Sequence, residues 1–69
     1  MRRDSVVSSN IVSVGYDPQS ETLEVEFQNG AVYQYYNVPK RIYEALMAAP
    51  SKGQFLVHQI RDRFPYARV

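Results

Sequence analysis

The sequence predicts an α+β fold: a three-stranded antiparallel meander followed by two helices packed on one face of the sheet, in the order β-β-β-α-α. Three observations predict it. Residues 10–37 alternate with the period of two that a strand requires, interrupted by two turn signatures, Asp17-Pro18-Gln19-Ser20 and Asn29-Gly30. Residues 38–64 switch to apolar side chains at helical spacing. Pro39, Pro50 and Pro65 punctuate that second half, at places where a helix begins or must stop.

Each element has its own justification. Residues 10–16 are β-branched and alternating, with Val12, Val14 and Tyr16 expected on one face and Ile11, Ser13 and Gly15 on the other. Asp17-Pro18 opens a type I turn, because proline presets φ for its second position. Residues 21–28 are the clearest strand. Leu23, Val25 and Phe27 are expected in the core, and Thr22, Glu24, Glu26 and Gln28 in water.

Asn29-Gly30 is a strong hairpin signal, and its register decides where two tyrosines go. A two-residue loop pairs Phe27 with Val32 and puts Tyr33 and Tyr35 on the face of Glu26 and Glu24. A three-residue loop with Gly30 as a bulge pairs Phe27 with Ala31, which sets Tyr33 beside Val25 and Tyr35 beside Leu23. The bulged register gathers the apolar residues on one face and is the one expected.

Residues 31–37 form the third strand. Val38-Pro39 opens a helix that runs through Ala49, with Ile42, Leu46 and Ala49 at i, i+4 and i+7 and Tyr43 and Met47 alongside. Lys40, Arg41 and Glu44 fall on its solvent side. Ser51-Lys52-Gly53-Gln54 reads as a capping box, serine at the N-cap and glutamine at N3. That second helix continues through Phe55, Leu56 and Ile60 towards Phe64, and Pro65 stops it. Residues 66–69 are a short tail that can pack back through Tyr66. Residues 1–7 are a flexible N-terminal segment, and residues 8–69 form the single domain.

Composition narrows the chemistry. Sixty-nine residues, 45% of them hydrophobic, lie near the lower limit for folding alone, where about 60% of the unfolded surface is buried. There is no cysteine and a single histidine, His58, so disulfides, thiolate metal sites and a zinc site are excluded. No metal and no cofactor are expected. His58 has no second histidine and no cysteine to make a nucleophilic pair, so a catalytic role is not expected. Glu24 and Glu26 share a strand face, in surroundings too solvated to tune them for acid–base work. Met1-Arg2-Arg3-Asp4 is not followed by the apolar run of a signal peptide. No stretch approaches the roughly 20 apolar residues of a membrane span. A cytoplasmic protein without a membrane partner is expected.

Charge is unevenly placed. Residues 1–39 carry two cations against five acids, net −3, and residues 40–69 carry six cations against two acids, net +4. Lys52, Arg61, Arg63 and Arg68, with Lys40 and Arg41, form a basic set able to contact phosphate oxygens, and Tyr66 lies among them in sequence. The alternative for this set is a solvated helix surface with internal ion pairs, for instance to Asp62. Tyr33 and Tyr35 can stack bases or pack as core beneath the helices, and the register argument favours core. Ser51-Lys52-Gly53 can meet an anion at a helix start, although Ser51 and Gln54 are already explained by capping.

Taken together, Ile11, Gly15-Tyr16-Asp17, Leu23-Glu24-Val25-Glu26-Phe27, Gly30, Tyr33-Gln34-Tyr35, Val38-Pro39, Tyr43, Ala49-Pro50-Ser51-Lys52-Gly53, Ile60, Arg61 and Pro65-Tyr66 resemble the KTSC domain. That family is named for an appendage at the C-terminus of lysyl-tRNA synthetase and also occurs as small free-standing bacterial proteins. The most specific pieces are Tyr33-x-Tyr35 and Ser51-Lys52-Gly53, with Tyr33, Tyr35, Ser51 and Gly53 the family's signature positions. The chain is similar to the free-standing form, so no synthetase activity is implied. The synthetase context implies RNA of the tRNA type as a partner. Two functional expectations follow: an RNA-binding module using the basic helical half, or a protein-interaction or self-assembly module using tyrosines and a free sheet edge.

Overall fold

Five antiparallel strands, not three, make the sheet of the computed structural model, which describes residues 1–69. In chain order they are β1 (Asp4–Ser5), β2 (Ile11–Asp17), β3 (Thr22–Phe27), β4 (Val32–Tyr35) and β5 (Tyr66–Arg68), and each pairs with the next. Two helices, α1 (Lys40–Ala48) and α2 (Lys52–Phe55), lie between β4 and β5 in sequence. The α2 helix runs on into a π-helical turn at Leu56–Ile60, closed by Arg61 N donating to Leu56 O at 2.9 Å.

The three central strands are those the sequence predicts, and the two additions come from the chain ends. The N-terminal segment, expected to be flexible, supplies β1, with Asp4 opposite Val14 and Ser5 opposite Ser13. The C-terminal tail supplies β5, with Tyr66 opposite Tyr35 and Arg68 opposite Tyr33. Strands this short carry little pattern of their own. They form because the open edges of β2 and β4 offer backbone partners.

The hairpin between β3 and β4 adopts the bulged register. Val25 pairs with Tyr33 and Leu23 with Tyr35. Phe27 N donates to Ala31 O, Gly30 N donates to Phe27 O, and Gly30 has φ +88°, a left-handed value that glycine adopts at no steric cost. One expectation for β2 is corrected. Ile11 pairs with Phe27 and Ser13 with Glu26, so Val12 is an extra, bulged residue. The bulge switches the face of Ile11, which is fully buried with Val14, while Val12 is only half-buried.

The core lies between this face and the helices. Ile11, Val14, Leu23, Val25 and Tyr35 of the sheet meet Val38, Leu46, Leu56 and Ile60. Tyr16 stacks on Tyr43 of α1, with centroids 4.8 Å apart and planes 8° from parallel. Its hydroxyl donates to Val38 O. Burial, with Glu21 and Asp17 nearby, raises the Tyr16 pKa and keeps that donor protonated.

The opposite face is polar yet not bare to water. Glu24 and Thr22 are each only 8% exposed, which corrects their expected place in solvent. Arg3 covers them. Its Nη1 donates to Glu24 Oε2 and its Nε donates to Ser13 Oγ at 2.9 Å. Ser13 Oγ donates to Glu26 Oε1 at 2.9 Å, and Gln34 Nε2 donates to Glu24 Oε1 at 2.8 Å.

Gly15 makes this cover possible. A Cβ there would lie 2.5 Å from the Arg2 carbonyl oxygen and 2.9 Å from Arg3 Cγ. We expect Gly15→Ala to push β1 off the sheet and cost about 1–3 kcal/mol, as overpacking does. Hydrogen exchange at Val14 and its neighbours would report the detachment, and unchanged exchange would refute it.

Candidate functional site

The aromatic face of β4 and β5 is only partly covered, its outermost ring, Tyr66, being 57% exposed. Partners across an antiparallel pair share a face, so Tyr33, Tyr35, Tyr66 and Arg68 all point to the helix side. Their rings are contiguous. Tyr66 lies 5.7 Å from Tyr33 and 5.8 Å from Tyr35, and Tyr33 lies 6.4 Å from Tyr35, centroid to centroid. Phe27 meets Tyr33 edge-on at 5.7 Å and extends the floor. Tyr35 is buried, Tyr33 half-buried and Tyr66 57% exposed. The floor thus grades from core to solvent.

The last turn of the second helical segment closes one side. A cleft of about 440 Å³ is lined by these three tyrosines together with Arg61, Asp62 and Arg68. Two arginines against one aspartate leave the lining net positive. Burial raises the Tyr35 pKa, Tyr33 and Tyr66 add to this, and Arg61 acts in the opposite sense. At neutral pH the Tyr35 hydroxyl therefore stays protonated.

The structure divides the basic set. Arg61 and Arg68 share the cleft with Tyr66, Tyr33 and Tyr35, whereas Lys52 and Arg63 do not line it. Lys52 Nζ donates to Ala49 O at 3.2 Å and satisfies the end of α1. Ser51 Oγ accepts from Gln54 N at 3.4 Å as an N-cap. The reciprocal half of the expected capping box is absent, because Gln54 Oε1 instead accepts from His58 Nε2 at 3.0 Å. Gly53 packs against Asn10. Asp62 makes no ion pair. The three ion pairs in the chain join Arg2 to Asp4 and Arg3 to Glu24 and Glu26. The cations of residues 40–69 are thus free of carboxylate partners.

Sequence reasoning missed Phe27 and Asp62 as cleft residues and Arg3 as the cover of the polar face. A signal for β5 was present: Tyr66 and Arg68 flank a small residue directly after a helix-stopping proline, the two-residue spacing of one strand face. No group of three or more His, Asp or Glu side chains converges as metal ligands would. No helix is long and apolar enough to cross a membrane.

These features define a class: a small two-layer α+β domain with an aromatic-floored, arginine-bearing cleft at the sheet edge. Within that class the KTSC domain model matches residues 7–64, and the chain belongs to the KTSC domain family. A crystal structure of a KTSC domain protein from Yersinia pestis superposes with a TM-score of 0.93 at 40% identity, covering 99% of this chain and 96% of that one. An uncharacterized protein of Stutzerimonas stutzeri is 46% identical over 54 residues, 78% of this chain and 76% of its own length. A lysine–tRNA ligase of a Nostoc species is 39% identical over 61 residues, which span 88% of this chain and 11% of the ligase.

Proposed function

We propose that this domain is an RNA-binding module and that RNA enters the cleft of Tyr33, Tyr35 and Tyr66 between Arg61 and Arg68. The observation that carries the reading is the convergence of a graded three-ring floor with two unpaired arginines. Exposed aromatic rings stack bases without regard to sequence, and guanidinium groups bind phosphate. The likeness to a segment of lysine–tRNA ligases, which act on tRNA, supports it. The site proposed is the cleft and not the whole basic helical half, because Lys52 is engaged at the end of α1.

A protein or self partner at a free sheet edge has less support. The outer edges of β2 and β4 are already covered by β1 and β5, and the strands left at the edges are two and three residues long.

Titration of labelled tRNA and single-stranded RNA tests the proposal. Two phosphate contacts imply a roughly sevenfold to twelvefold loss of affinity between about 50 and about 200 mM salt. Tyr66→Ala is expected to weaken binding by about 1–3 kcal/mol; because the ring also packs on Tyr33 and Tyr35, a thermal melt of the variant checks that it is folded at the temperature of the titration. Absence of binding at low salt, or binding indifferent to both salt and Tyr66→Ala, would overturn the reading.

A further inference from the structure

Phe27 lies at the boundary between the aromatic cleft and a neighbouring hollow. This second hollow, of about 340 Å³, adjoins the cleft, and the two share Phe27, Asn29, Leu56 and Val57 as a common wall. The chemistry changes along the way. The first half offers tyrosine rings and arginines. The second offers side-chain amides, from Asn10, Gln28 and Asn29, beside Gly53.

These amides are available. Asn10 and Gln28 are exposed and join each other through the backbone, Gln28 N donating to Asn10 O at 2.9 Å. Asn29 spends only its Oδ1, which accepts from Ala31 N at 3.0 Å, and so keeps its amide hydrogens. Gly53 keeps this half open, since a Cβ there would lie 3.3 Å from Asn10 Nδ2. A primary amide both donates and accepts, as the edge of a nucleobase does, whereas a ring face is indifferent to base identity.

Resting on the RNA-binding reading above, we infer that the two hollows form one groove for consecutive nucleotides of single-stranded RNA. One base stacks on Tyr33 and Tyr66 with its phosphate at Arg61 or Arg68. Its neighbour presents its edge to Asn10, Gln28 and Asn29. Both hollows fall within the size of small-ligand sites, about 300–1,000 Å³. A duplex would not fit this arrangement, because its bases are paired and their faces stacked on one another. Adenine is the base expected in the second half, because an amide pairs with its N6 and N7 edge in bidentate fashion.

The test uses the whole chain, labelled homopolymer RNAs of adenine, cytosine and uracil about eight nucleotides long, and a hairpin duplex. The intact protein is expected to prefer the adenine polymer over the others by about 5- to 150-fold, and to bind the duplex more weakly than any of them. The double variant Asn10→Ala/Gln28→Ala, changed only at exposed side chains, is expected to flatten the preference while retaining binding to the weaker polymers. Tyr66→Ala should weaken all polymers alike. Equal binding of all single strands by the intact protein, a preference untouched by the amide variant, or duplex binding as tight as single-strand binding would each overturn the groove while leaving the RNA-binding module standing. No binding to any RNA would remove both.

Discussion

Ile60→Ala is expected to cost about 2–5 kcal/mol of folding stability, the usual range for emptying a fully buried aliphatic site. Ile60 is 0% exposed and belongs to the core cluster with Leu46, Leu56 and Val25. A domain of this length has roughly 3–10 kcal/mol in total, at about 0.05–0.15 kcal/mol per residue. The substitution therefore removes a large share of all the stability available. With no disulfide to hold the chain, the thermal midpoint should fall by at least about 8 °C. Val57 lies in the same π-helical turn but is 45% exposed, and Val57→Ala should stay within about 0.5 kcal/mol. Urea melts of both variants check the contrast, and equal midpoints would refute it. The consequence reaches the cleft, because Arg61 follows Ile60 directly and that turn aims it over the tyrosines. Turns of this wide kind often mark functional sites in helices.

Arg3→Ala should be the next most costly change, about 1.5–3 kcal/mol, the range for a hydrogen bond to a charged group. The Glu24 side chain is only 10% exposed and Arg3 28% exposed. Removing the guanidinium leaves the carboxylate with Gln34 as its remaining side-chain partner. Glu24→Gln in the same chain should recover part of the loss, because the unpaired charge is then gone. Arg3→Ala and Gly15→Ala should not add, since both undo one clasp between the N-terminal strand and the sheet.

The pH dependence of that clasp has a definite sign. The hydrogen bond from Gln34, then the hydrogen bond and charge of Arg3, lower the Glu24 pKa against an opposing desolvation. A carboxyl lowered on folding contributes stability that is complete above the unfolded range, about pH 4.3. The contribution is lost as pH falls through the lower folded value. Stability should therefore decline on acidification below about pH 4.3, and Arg3→Ala should make that decline shallower. Denaturant melts across this window read both, and an unchanged slope would contradict the pairing.

Much of the fold was legible because its signals are local. The alternation of Leu23, Val25 and Phe27, the Asn29-Gly30 turn and the spacing of Ile42 and Leu46 need only neighbouring residues to be understood. The register that sets Tyr33 beside Val25 was also accessible, because the wrong register would put both tyrosines on the glutamate face. The cleft was legible only in part. Arg61, Arg68 and Tyr66 stood among the candidates, but so did Lys52 and Arg63, and linear sequence could not separate those that converge from those that do not. The buried state of Glu24 was hidden for a similar reason: its cover, Arg3, lies 21 residues away.

By itself, then, the sequence determined the α+β class, the three central strands, where the two helices begin, the face taken by the paired tyrosines and the likeness to one family, whereas the second helix stops at Ile60 and not near Phe64. Tertiary structure alone decided the bulge that turns Ile11 inward, the two terminal strands, the pairing of Arg3 with Glu24 and the meeting of Tyr66 and Arg68 with Arg61. The physical reason is the range of the interactions. Periodicity and turn chemistry are set by backbone geometry over a few residues. Edge pairing, charge burial and cleft formation depend on surfaces that exist only after the sheet and helices have packed.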